Sequence, residues 1–331
     1  MSRYVIIGAG AVGATTAAEL HLAGREVVLV ARGAHLAALQ ESGLRYIRPD
    51  GITTLRLPVV GSPEELKLRS DDVLVLATKT QDADAALAAW AWQPVDDGVA
   101  AVRLPLLTLQ NGLDSERSAL RRFATVFGAV SWSPSSHVVA GEVVSPAAPL
   151  AGVFWIGRYP GGTDSRLADI AADFTAANLA VEVVSDIVAF KAGKLLTILP
   201  NALDALYAPS PLRDRAGELL RAEARSAFAA AGIRAADLVG ETKQDISGFV
   251  IHAIPDHDRG GSSTWQSLVR GAPVESEFLN GEVVLLARLH GGEAPANAAI
   301  QSRIARAAAD HAPARSLTDD DLLLTLPQLA D

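Results

Sequence analysis

Across residues 4–109, short β-branched runs alternate with longer segments whose apolar residues recur at helical spacing, the pattern of βαβ units around a parallel sheet. Residues 4–7 read as a first strand, 11–22 as a helix closed by Gly24, and 27–30 as a second strand. Residues 72–77 and 106–109 are nearly unbroken apolar runs, as strands buried on both faces require, and 82–92 reads as a helix between them. From 129 to 157 the pattern alternates, with turn formers at Ser133-Pro134, Gly141 and Pro146, which predicts antiparallel strands; residues 160–164 read as a loop. After Asp186 the strand pattern stops. Helical spacing covers 187–207, 213–231, 275–290 and 296–309, and Pro200 is expected to kink or break the first of these. The expectation is an α/β domain in residues 1–186 and an all-helical domain in 187–331, with no element assigned to 313–331.

Composition narrows the function. The 331 residues suit two domains at ~150 residues each, and 49 % hydrophobic residues supply two cores. With 29 basic against 38 acidic side chains the formal charge is −9, which argues against nucleic acid as a partner. The absence of cysteine removes disulfides, thiolate nucleophiles and cysteine-based metal sites, and agrees with a reducing compartment, so a cytoplasmic protein is expected. Arg3 and the apolar stretch to Ala18 resemble a short export signal, but Gly8, Gly10 and Gly13 would weaken such a helix. No window offers the ~18 uninterrupted apolar residues of a membrane span, so no membrane partner is expected. The seven histidines show no ligand spacing and Asp319-Asp320-Asp321 reads as a solvated segment, so no metal is expected.

Gly8-Ala9-Gly10-Ala11-Val12-Gly13 matches G-x-G-x-x-G, directly after a strand and opening a helix. Gly8 allows the tight turn, Gly10 lets backbone approach a pyrophosphate, and Gly13 lets the helix pack closely on the strand. Residues 8–13 are therefore the expected cofactor loop of a Rossmann-like domain. At the end of the second strand an acidic residue would bond a ribose hydroxyl, whereas Val30-Ala31-Arg32-Gly33 places an arginine there. Arg32 suits the 2′-phosphate of NADP(H) through charge-assisted hydrogen bonds of ~1.5–3 kcal/mol. The bland alternative is a solvated arginine at a strand end.

With Thr78-Lys79-Thr80-Gln81-Asp82, Leu109-Gln110-Asn111-Gly112-Leu113, Lys194-Leu195-Leu196, Ser262-Ser263 and residues 275–281 following in order, the chain resembles the ketopantoate reductases (2-dehydropantoate 2-reductases) over nearly its whole length. That resemblance implies NADPH-dependent reduction of a 2-oxo acid to the 2-hydroxy acid, with ketopantoate giving pantoate for pantothenate synthesis. Hydride would come from nicotinamide C4 and the proton from Lys194. The reduced carbonyl oxygen gathers charge, so an ammonium beside it is a suitable donor. By pattern alone Lys191 competes with Lys194. The resemblance also places Lys79 near cofactor and substrate, Asn111 at the nicotinamide or the carbonyl, and Glu275 on the substrate hydroxyl as a second catalytic residue. Ser263 would hold the substrate carboxylate, and Asn201 would fill a second asparagine position.

Each has an ordinary alternative: a strand-end lysine, an Asn-Gly turn, a first-turn acid and a helix N-cap for Lys79, Asn111, Glu275 and Ser263. Departures fall on the substrate side. Ile198 and Gly260 stand where the family has asparagine, Gln266-Ser267 where it has Gln-Asp, and Val274 where it has threonine. Such losses alter substrate choice more than reaction type. Two alternatives therefore stand beside ketopantoate reduction: a related reductase of another 2-oxo acid, carbonyl or imine in specialised metabolism, and a non-catalytic NADP-binding sensor. Amphipathic helices such as 275–290 are compatible with a homodimer.

Overall fold

A computed structural model describes residues 2–257 and 260–330. The first half runs β1 (Arg3–Ile7), α1 (Ala11–Leu22), β2 (Glu26–Val30), α2 (Gly33–Ser42), β3 (Leu44–Arg48), β4 (Gly51–Leu55), β5 (Val59–Val60), β6 (Asp72–Leu76) and α3 (Thr80–Ala91). A small hairpin, β7 (Pro94–Val95) and β8 (Gly98–Val99), then leads through α4 (Ala100–Arg103) to β9 (Leu106–Thr108), α5 (Asp114–Leu120) and β10 (Val126–Trp132). β11 (Glu142–Val144), β12 (Ala147–Pro149), β13 (Gly152–Arg158), α6 (Ser165–Ala176) and β14 (Leu179–Val183) follow.

Eight of these strands form one sheet in the order β14-β13-β10-β9-β6-β1-β2-β5. From β5 to β10 all neighbours are parallel; the step from β10 to β13 is antiparallel. The chain therefore winds outward in both directions from β1, and the reversal lies between β1 and β6. A crevice at the carboxyl ends of the strands at such a switch point is where open α/β sheets bind ligands. Alternation along β1 divides its side chains between two cores. Tyr4 and Ile6 pack with Ala14 and Ala17 of α1 and Phe174 of α6, while Val5 and Ile7 pack with Leu87 and Trp90 of α3.

The antiparallel closure expected for residues 129–157 is present in β10 and β13, but β11 pairs parallel with β3, and β14 extends the sheet one strand further. A period-two pattern shows that a strand has one polar face; it carries no information on which strand it will join.

Among the described residues after α6 and β14 the regular elements are helices, apart from β15 (Phe249–Ile251), which pairs with β12 in the irregular stretch between residues 231 and 262. α7 (Ile187–Ile198) and α8 (Asn201–Leu206) are separated at Pro200, and α9 (Pro211–Ala230), α10 (Ser263–Val269), α11 (Asn280–Leu289), α12 (Pro295–Ala309) and α13 (Asp319–Thr325) follow. The break is the expected one, because proline lacks the N–H that an unbroken helix would need there. The Ser210 side chain accepts from the Arg213 N–H to start α9, with Pro211 in its first turn. The tail left without an element contains α13, whose start is a capping box between Thr318 and Asp321. Asp319-Asp320-Asp321 is thus the first turn of a helix, where negative charge is favoured, with Asp319 and Asp320 exposed to solvent.

The chain divides into two compact units, one of residues 1–110, 115–188 and 239–258, the other of residues 111–114, 189–238 and 259–331. Against the expected single boundary after residue 186, the main change of unit falls after Val188, with one short excursion in each direction. Leu113 explains the first excursion, since it is buried in the helical core with Leu195, Leu199 and Leu279. No described helix is long and apolar enough to cross a membrane.

At the amino ends of β1 and β6, Arg3 clasps the fully buried Asp72 carboxylate through Nε at 2.7 Å and Nη2 at 2.8 Å, and the Arg69 N–H donates to it as well. Replacing Asp72 by alanine strands Arg3 beside the core, so the Asp72→Ala chain should lose about 3 kcal/mol in urea unfolding.

Candidate active site

The glycine turn is built against the end of β6. Gly8 has φ of +114°, and a Cβ placed there would lie 2.7 Å from the Thr78 nitrogen. A Cβ on Gly13 would lie 2.0 Å from the Gly8 carbonyl oxygen and 2.9 Å from the Ala77 side chain. Gly10 is the opposite case: nothing lies within 4 Å of its would-be Cβ. Two glycines are therefore required by packing, and the middle one faces open space. α1 starts at Ala11 with no side-chain cap and no acid in its first turn, which leaves its terminal N–H groups available to an anion. This geometry fits a dinucleotide whose pyrophosphate lies beside Gly10.

The neighbouring strand ends carry the other first-unit candidates. Arg32 follows β2, is exposed, and lies 3.9 Å from Asp82 in the first turn of α3. It precedes α2, which also lacks a side-chain cap. Lys79 is the half-buried N-cap of α3, directly after β6. Gln110, buried after β9, donates to the Thr78 carbonyl at 3.1 Å and so ties the end of β9 to the residue that Gly8 abuts.

The remaining candidates lie in the second unit. Asn111 is half-buried and opens the turn in which Gly112, at φ of +81°, presses on the Phe278 carbonyl; a Cβ on Gly112 would lie 2.6 Å from that oxygen. Phe278 closes the short 3₁₀ turn Ser276–Phe278 whose N-cap is Glu275, so the Asn111 turn and the Glu275 segment are packed together. The helix expected from residue 275 accordingly begins as this turn and becomes regular only at α11.

On α7 the two competing lysines differ in burial: Lys191 is 2 % exposed, whereas Lys194 is half-buried. Gly193 brings α7 against residue 236, where a Cβ would lie 2.1 Å from the Ala236 carbonyl oxygen. Ile198, one turn after Lys194, is buried in the helical core. A buried amide network fixes the end of this helix. Asn280 donates to the Leu199 carbonyl and to Asn297 Oδ1, and Asn297 donates to the Leu220 carbonyl and Glu223.

Asn201 and the serine pair also meet. Ser262 Oγ donates to the Asn201 carbonyl at 3.2 Å and accepts from the Trp265 N–H, so the N-cap of α10 is Ser262 and Ser263 stands one position inside the helix. Asp204 accepts from the Ser262 N–H and from Arg315 Nη2, each at 2.8 Å, and Arg315 also donates to the Gly260 carbonyl while lying over the Trp265 ring. Gly260 has φ of +70°, and a Cβ there would come within 2.2 Å of the Trp265 ring. The indole therefore occupies the space that an asparagine at 260 would need. Asp204, Arg315, Asn280 and Asn297 were not picked out by sequence because each acts through partners remote along the chain.

The first unit is Rossmann-like with an open glycine turn, and the second is helical. Sequence profiles described as ketopantoate reductase PanE/ApbA and its C-terminal domain match residues 4–161 and 194–308, and the chain belongs to that family of oxidoreductases acting on CH–OH groups. It is 27 % identical to a 2-dehydropantoate 2-reductase of Pyrococcus horikoshii, covering 89 % of this chain and 94 % of that protein. Identity to one from Mesorhizobium japonicum is 28 %, covering 93 % and 98 %. Among solved structures, a ketopantoate reductase family protein from Ralstonia eutropha superimposes with TM-score 0.76 at 24 % identity over 94 % of this chain and 99 % of that one. D-mandelate dehydrogenase with NADH and anilino(oxo)acetate gives 0.77 at 17 % identity, with the same coverage. Both likenesses concern the fold.

Burial works against the charge of Asp204, but the Ser262 N–H and Arg315 outweigh it and hold its carboxyl below the ordinary 3.8. Folding is thus favoured by this group at pH values above 3.8 and the benefit is lost as acid protonates the native carboxylate. Urea unfolding should show Asp204→Asn destabilised by about 1–2 kcal/mol at pH 7, with the gap to the unaltered chain narrowing as pH falls below the carboxylate range.

Proposed function

We propose that the protein is an NADPH-dependent reductase of a 2-oxo acid, with ketopantoate as the first substrate to assign and pantoate as its product. The open space beside Gly10, at the head of an uncapped α1, carries the reading, because it is what a pyrophosphate needs. The curated relatives named 2-dehydropantoate 2-reductase support the reaction type. When bound, the nicotinamide supplies the hydride.

The chain's own groups supply the rest. Arg32 and the uncapped start of α2 receive the 2′-phosphate, and they discriminate because NADH offers only a hydroxyl there. Lys194 places an ammonium at the carbonyl oxygen and gives up the proton as the alkoxide charge develops. Glu275 accepts from a substrate hydroxyl, Ser263 donates to the carboxylate, and Asn111 and Asn201 orient the bound groups; Lys79 adds positive charge at the end of β6. Keeping Lys194 half-buried limits its hydration while leaving it reachable.

The Trp265 ring over Gly260 and the buried Ile198 favour a second reading, a 2-oxo acid with a more apolar side chain than ketopantoate. NADPH oxidation against a panel of 2-oxo acids separates the two by kcat/KM. On the best substrate, Lys194→Ala should reduce kcat about 10²–10⁴-fold and leave NADPH affinity intact. Tight NADPH binding with no turnover on any carbonyl would instead establish a sensor. Arg32→Ala should weaken NADPH binding roughly tenfold or more with little effect on NADH, measured as the ratio of the two dissociation constants.

A further inference from the structure

The first turn of α2 carries a half-buried histidine that none of the expected roles uses. Three residues after Arg32, His35 lies between two backbone groups distant in sequence: its Nε2 is 2.9 Å from the Ala9 carbonyl oxygen, and its Nδ1 is 2.8 Å from the Gly141 nitrogen. The chemistry of these partners fixes the tautomer. A backbone N–H can only donate, so Nδ1 is the bare acceptor, the proton resides on Nε2, and Nε2–H donates to Ala9. The ring packs on that of His137, with centroids 4.2 Å apart, and His137 Nδ1 is in turn bonded to the Glu142 carbonyl. Burial and the neighbouring His137 lower the His35 pKa to about 4, so the ring is neutral at physiological pH. Gly141 is fitted to the same contact: its φ is +80°, and a Cβ there would lie 3.0 Å from the Ala38 side chain of α2.

We propose that His35 is a positioning residue for the dinucleotide turn, clasping the Ala9 carbonyl to α2 and to the Gly141 loop. The inference rests on the reading of residues 8–13 as the cofactor loop. Ala9 C=O and Gly10 N–H belong to one planar trans peptide, so they point in opposite directions. Holding the carbonyl toward His35 therefore holds the Gly10 N–H away from it and removes the freedom of this peptide to rotate. Without the clasp that freedom must be lost when the anion binds, at the cost of affinity and not of the chemical step.

The two links are separable by substitution. Glutamine reproduces the reach of Nε2 and keeps the donor to Ala9, whereas asparagine reproduces only Nδ1 and keeps the Gly141 acceptor. Fluorescence titration with NADPH should give His35→Gln an affinity near that of the unaltered chain. For His35→Asn and His35→Ala, it should give weakening of about three- to tenfold, the worth of one lost hydrogen bond. In turnover the NADPH KM of these two variants should rise while kcat at saturating NADPH is unchanged. Equal affinity for all four chains overturns the clasp and leaves the cofactor loop standing. An unaltered chain that binds no dinucleotide overturns the loop reading and the clasp with it. Nitrogen-15 spectra of the unaltered chain need no variant: a proton on Nε2 of His35 at neutral pH is expected, and one on Nδ1 overturns the proposal.

Discussion

The approach of the glycine turn to the end of β6 is the constraint on which the first unit depends. Gly13 abuts the Gly8 carbonyl and the Ala77 methyl, and Gly8 abuts the Thr78 backbone, so β1, α1 and the segment leading to Lys79 form one close contact. This contact sits where the order of winding reverses, between the parallel strands β1 and β6, and Gln110 extends it to β9. With Gly8 and Gly13 filling the contact, Gly10 is left on the open side at the head of α1. The open side at Gly10 is thus a consequence of how the strand and helix pack.

The second unit reaches its order differently. Its helices share an apolar core, but their registration at the candidate residues comes from polar groups of high directional demand: Asn280 and Asn297 at the end of α7, and Asp204 with Arg315 at the serine loop. An apolar contact tolerates sliding, whereas a buried amide left unpaired costs about 1–3 kcal/mol. Gly260 and Trp265 belong to the same arrangement. The indole fills the side-chain space at Gly260 and carries the Arg315 guanidinium over its ring, which makes the loss of an asparagine side chain at 260 a packing exchange.

Sequence revealed the features that are local. The glycine motif, α1 with its bounds, β6, and the break at Pro200 are each written in a few adjacent residues, and strong periodicity or a missing N–H leaves little freedom there. The family resemblance supplied the order of the remaining motifs. Features that depend on remote partners were not legible: β14 at the sheet edge, the return of residues 239–258 to the first unit, and Arg315 in a tail that carried no pattern. Nor did the Ser262-Ser263 pair show which serine caps α10. Either hydroxyl suits an N-cap, and only the backbone at Ser262, with φ of −63° and ψ of 169°, decides between them.

Gly10 offers the most direct measurement, because its φ of −72° suits any residue and its side-chain direction is empty. A leucine there should fold, at a cost of about 1 kcal/mol for a poorer residue at the start of α1, yet fill the space assigned to the pyrophosphate. Calorimetric titration of Gly10→Leu with NADPH should show no binding under conditions that saturate the unaltered protein. Undiminished NADPH affinity in a normally folded Gly10→Leu chain would contradict the account.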